Sequence, residues 1–146
     1  MSERDEGFVD LGRHAIRIDG DTLTVAVRGV LTGEDMRQLL DLFARIKREH
    51  GSLFVLYDGR QCTSVDADAR KAATQGRFHE READLRVAFG VPYVIRTILN
   101  MILRAQKVLF NRDVKVHLFE HGNEAHAFLE KERARIRREK GLKTSP

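Results

Sequence analysis

At 146 residues, 42% of them hydrophobic and 33% charged, the chain has room for one globular domain with a substantial core. Its net charge of +4 gathers in the last stretch, where Lys131, Arg133, Arg135, Arg137, Arg138, Lys140 and Lys143 face only Glu132 and Glu139, so the body is nearly neutral and no nucleic-acid partner is expected. A single cysteine, Cys62, excludes an intrachain disulfide framework, and the most apolar stretch is interrupted by Arg96, Asn100 and Arg104, short of the roughly 20 residues a membrane span requires.

The start, Met1 to Glu6, is too charged to open a signal peptide, and a cytoplasmic location is expected. Phe8 to Leu11 adds a short strand. Alternation in Ala15 to Ile18 and in Leu23 to Arg28, separated by Asp19-Gly20-Asp21, predicts an antiparallel hairpin with a tight turn. Thr32 then caps a helix whose apolar positions, Met36, Leu39, Leu40, Phe43 and Ile46, keep helical spacing until His50-Gly51.

Three strand-helix alternations follow. They are Leu53–Tyr57 with a helix from Asp66 to Arg81, Leu85–Phe89 with a helix from Pro92 to Lys107, and Val114–Phe119 with a helix from Asn123 to Arg138. The pattern predicts an α/β fold: one domain over residues 1–138 with about four helices and a mixed, mostly parallel sheet bearing an antiparallel N-terminal hairpin. Residues 139–146 are read as a basic, disordered tail.

Two helices depart from ordinary amphipathicity. The one after Asp66 has an inner stripe of small residues, Ala69, Ala72, Ala73 and Gly76, which permits close approach to the sheet but contributes little burial. The one after Pro92 is apolar over far more than one face, with Arg96, Asn100, Arg104 and Lys107 in a single narrow polar stripe. Surplus apolar surface of this kind suits a partner, a ligand or a second copy of the chain.

The candidate site is where the strand ending at Asp58-Gly59 gives way to the next helix, since open α/β sheets bind ligands beyond their strand ends. Asp58, Thr63, Ser64, Asp66 and Asp68 are expected to gather there, with Arg96, Met101 and Arg104 of the apolar helix as a second contact surface for a partner. No Gly-x-Ser-x-Gly elbow and no glycine-rich phosphate loop occurs, so no catalytic residue is assigned and no enzyme activity is expected. Asp58, Asp66 and Asp68 suit turns and helix caps better than Mg²⁺. His117, His121 and His126 match no helical zinc spacing; no metal or other cofactor is assigned. Cys62 precedes a helix start but is read as an unreactive thiol.

The order of elements, the strand ending in Asp58 and the segment Thr63-Ser64-Val65-Asp66-Ala67-Asp68 resemble the STAS domains of anti-sigma-factor antagonists, over about Ala15 to Leu129. Gly29 to Asp35, Arg86 to Gly90, the Arg96–Arg104 helix and Phe119 to Leu129 look more closely like the bacterial SpoIIAA-like branch, which is related in fold to the lipid-binding CRAL-TRIO lobe. The resemblance implies a non-catalytic regulatory module that recognises a protein partner, and the surplus apolar surface of the Pro92–Lys107 helix predicts self-association as a homodimer through that helix. The alternative is a carrier of a small hydrophobic or lipid ligand. Where the antagonists carry a phosphorylatable Ser in Asp-Ser-Ser-Gly, this chain has Ala67-Asp68-Ala69, which argues against switching at that position; Thr63 and Ser64 are the nearby hydroxyls.

Overall fold

The computed structural model describes residues 7–74 and 83–141. Six strands form one sheet in chain order: β1 (Val9–Leu11), β2 (His14–Asp19), β3 (Thr22–Leu31), β4 (Phe54–Val65), β5 (Leu85–Phe89) and β6 (His117–Phe119). The first two neighbour pairs are antiparallel, and β3 through β6 are parallel. The β2–β3 hairpin pairs Asp19 with Thr22 across Gly20-Asp21, as the alternation predicts.

Because the parallel strands advance steadily in one direction, right-handed crossovers stack their helices on a single face. Accordingly α1 (Gly33–His50), α2 (Ala67–Thr74) and α3 (Tyr93–Phe110) share the core built from Leu23, Val25, Leu53 and Val55, to which they contribute Leu39, Phe43, Ile46, Ala69 and Ile95. Among the described residues only α4 (Gly122–Glu139), which follows the last strand, covers the other face, setting Ala125 and Leu129 against Phe54, Leu56, Val87 and Phe89. The strand period of two explains the division along β4, since Phe54 and Leu56 point one way and Val55 and Tyr57 the other.

Local chemistry sets the helix limits. Thr32 accepts the Asp35 N–H while the Asp35 carboxylate accepts the Thr32 N–H, a capping box at the start of α1. Gly33 is required because the Asp68 side chain occupies the space that a Cβ would fill. Asp66 caps α2 by accepting the Ala69 N–H at 2.7 Å.

The basic C-terminal stretch is engaged with the fold. Arg137 meets the buried Asp21, which also accepts from Ser52, and Arg133 donates to Thr22 at 2.9 Å. Glu139 is the last residue of α4, and Lys140 reaches the Asp84 carboxylate and the Gly51 carbonyl.

Several limits differ from expectation. The strand predicted over Leu53–Tyr57 runs on to Val65, because register shifts against β3 between Ala26 and Arg28 and between Gly29 and Val30 absorb the irregularity at Gly59. The helix predicted to end at Lys107 gains most of a turn and closes on Asn111 in the left-handed conformation. β6 is shorter than Val114–Phe119, with Val114 to Val116 outside the sheet. The part of the predicted Asp66–Arg81 helix beyond Thr74 lies outside the described residues.

Candidate functional site

The extension of β4 rearranges the expected cluster. Asp58 pairs in register with Ala26 and Phe89, whereas Val65 pairs with Leu31. At about 3.3 Å of rise per residue, Asp58 and Asp66 lie roughly 20–25 Å apart. They do not share one tip, and the expectation that Asp58 through Asp68 converge is corrected for this reason.

Asp58 faces the α4 side, where Arg60 holds it in a bidentate pair at 2.9 and 2.7 Å. Burial would raise its carboxyl, but hydrogen bonds from Arg60 and the charges of Arg60 and Arg28 outweigh that and hold it below the ordinary carboxylate value. It lines an open depression of about 630 Å³ with Arg17, Arg28, Arg60, Phe89 and His126. Two of these arginines are already engaged, Arg17 over the Phe8 ring and Arg60 with Asp58 and over Phe89.

The other sequence candidates scatter. Thr63 is exposed on β4 and Ser64 half-buried beside Val30. Asp66 is the cap of α2, and Asp68, one residue into that helix's first turn, pairs with Arg37 of α1 at 3.1 Å. Arg96, Met101 and Arg104 are exposed together along α3, Arg96 lying over the Tyr93 ring. Of the three histidines, His117 packs on Phe128, His126 approaches Phe89 and His121 is exposed ahead of α4.

What the structure does build is a half-open apolar chamber beneath α3. The loop after β5 crosses β4 at Gly59, where a Cβ would run into Val91. From that crossing α3 stands away from the sheet, so that only Ile95 and Gln106 of its 18 residues are buried. Between α3, α1, α2 and the sheet lies a cavity of about 190 Å³. Its walls are apolar: Leu31, Leu40 and Phe43 on one side and Ile98, Leu99 and Ile102 of α3 on the other.

Four polar groups interrupt the wall, from Tyr57, Arg86, Gln106 and Arg112. Burial pushes the Tyr57 phenol above its ordinary value, partly opposed by the positive charge of Arg86. Cys62, also on the wall, donates to the Ser64 carbonyl at 3.7 Å, and burial raises its thiol. A raised thiol is the opposite of an activated nucleophile.

Sequence reading missed Tyr57, Arg86 and Gln106. The available signal was a lone Gln106 on the inward side of a helix whose other polar residues align elsewhere, and an Arg86 on the α3-facing side of a buried strand.

A model of the SpoIIAA-like family matches residues 22–130. A search of curated proteins finds no match. Among solved structures, the anti-sigma factor antagonist SpoIIAA in its unphosphorylated form superposes with a TM-score of 0.53 at 12% identity, covering 85% of this chain and 97% of that one. An uncharacterized protein with a SpoIIAA-like fold from Shewanella loihica gives 0.54 at 18% identity, covering 83% and 98%. At these identities the superpositions speak for the fold, and the family match carries the assignment: this chain belongs to the SpoIIAA-like family.

Proposed function

We propose that the chain is a non-catalytic binding module that takes a small apolar molecule into the chamber beneath α3, with α3 as its movable roof. The chamber is the observation that carries this reading: about 190 Å³, half open to solvent and lined by side chains from three helices and the sheet. A dry apolar cavity of roughly 150 Å³ already accommodates benzene, so a single ring or a short chain fits here. Burying about 150–200 Å² of ligand surface is worth roughly 4–5 kcal/mol before the cost of association. Dissociation constants of about millimolar at best follow for a minimal ligand, and tighter ones for a ligand that also engages the polar wall.

The test is a thermal-shift series with apolar molecules of increasing size on the wild type and on Ile98→Trp, which fills the chamber. Ring-sized ligands raise the melting temperature of the wild type and leave Ile98→Trp unmoved. Equal shifts in both proteins contradict the proposal.

A second reading, recognition of a protein partner or of a second copy, is favoured by the outer side of α3. Tyr93 is 75%, Val94 65%, Met101 58% and Val108 75% exposed. Arg96 and Arg104 flank these apolar residues and would provide the polar rim of such a contact. The two readings are compatible, because a ligand that shifts α3 also changes what its outer side presents.

A further inference from the structure

Gln106 and Ile95 are the buried residues of α3, and a glutamine is costly to bury unless both ends of its amide are satisfied. One end is: Nε2 donates to the Ala73 carbonyl of α2 at 2.6 Å. Because a carbonyl can only accept, that bond also fixes the amide, with nitrogen toward Ala73 and oxygen away from it. Gln106 is 5% exposed and on the chamber wall, and its Oε1 is buried without a hydrogen-bond partner among the described residues.

We propose that the chamber selects a ligand bearing one O–H or N–H donor on an otherwise apolar ring or short chain, with Gln106 Oε1, which is closed to water in this structure, accepting the hydrogen bond as α3 shifts to admit it. This deepens the reading of the chamber as a ligand site and rests on it. A buried acceptor held in place by a second bond favours the donor-bearing molecule over its hydrocarbon isostere, since the latter leaves the oxygen unpaired. It also disfavours a carboxylate, whose oxygens repel Oε1. Arg86, with Arg112 the second cation of the wall, is the group that would hold an anion instead.

Phenol and toluene, nearly identical in shape, separate these possibilities, with benzoate as the anionic probe. Each is titrated calorimetrically into the wild type and Gln106→Met. Protection of Cys62 from alkylation serves as an independent measure of occupancy, since it is the single thiol and lies on the chamber wall.

The phenol dissociation constant rises about 3–10-fold in Gln106→Met while that of toluene stays level or falls. Losing the bond to Ala73 alone would affect both ligands alike, so the ratio isolates the contact with the ligand. Should Gln106→Met not fold, the wild type decides: the side-chain carbonyl ¹³C resonance of Gln106 moves with phenol and not with toluene.

Phenol and toluene weakened in equal proportion, or a Gln106 resonance indifferent to phenol, overturns the inference and leaves the chamber standing as a site. Benzoate binding tightest, and weakening in Arg86→Met, overturns it in favour of an anion-selective chamber. Binding of none of the three removes the chamber as a ligand site and this inference with it.

Discussion

His14 shows how one buried polar residue ties together elements that are distant in sequence. It is fully buried on β2, where Nδ1 accepts the Arg28 N–H at 2.9 Å. The proton therefore sits on Nε2 and is donated to Asp35 Oδ2 at 2.9 Å. That same oxygen accepts the Thr32 N–H, so one carboxylate caps α1 and holds the histidine at the irregular part of β3. Burial would raise the Asp35 carboxyl, but hydrogen bonds from the Thr32 backbone, His14 and the Thr32 side chain lower it overall. A depressed carboxyl contributes stability that is complete above the unfolded value near 3.9 and is lost as pH falls through the folded value. Asp35→Ala removes the carboxylate half of the capping box, a hydrogen bond worth about 0.5–1.5 kcal/mol net, and strands a buried N–H at about 1–3 kcal/mol, while the Thr32 side chain remains as N-cap. Urea unfolding at pH 7 is expected to give a loss of about 2–4 kcal/mol, which shrinks below pH 4 as the wild type forfeits the same interaction. A loss that does not change with pH contradicts the role given to the carboxylate.

At the scale of elements, legibility followed the strength of local signals. β5 is where its apolar run places it, and Thr32 and Gly51 bound α1 as their chemistry requires. β4 was misjudged because Asp58-Gly59 reads as a turn and Arg60 to Ser64 as polar loop. Only pairing with β3, through two register shifts, makes strand of them. That long-range constraint separates Asp58 from Asp66 and dissolves the expected cluster. The apolar excess of α3 was legible, but not the void beneath it. A stand-off between helix and sheet depends on where the loop crosses Gly59, which no periodicity reports. The outer side of α3 is testable alone. Met101 is exposed, so Met101→Asp is expected to change monomer stability by no more than about 0.5 kcal/mol. If the outer side of α3 pairs with a second copy, sedimentation velocity is expected to find the wild type dimeric and Met101→Asp monomeric. A wild type that remains monomeric at high concentration removes self-association through α3.

Across the whole molecule the two faces of the sheet divide the work. The α4 face is held by ion pairs and buried polar contacts, Arg137 with Asp21 and Lys140 with Asp84. The opposite face ends in a helix that roofs a half-open apolar chamber. Each helix buries only two of its residues, but α4 is tied down by these ion pairs, so under the proposed ligand-binding reading α3 is the element expected to open at lower cost. Methyl NMR under titration with toluene addresses this most directly. The account predicts saturable shifts at Ile95, Ile98, Leu99 and Ile102 around the chamber, with Leu129 and Ile136 beneath α4 unchanged. Shifts absent from the α3 methyls, or largest beneath α4, would contradict it.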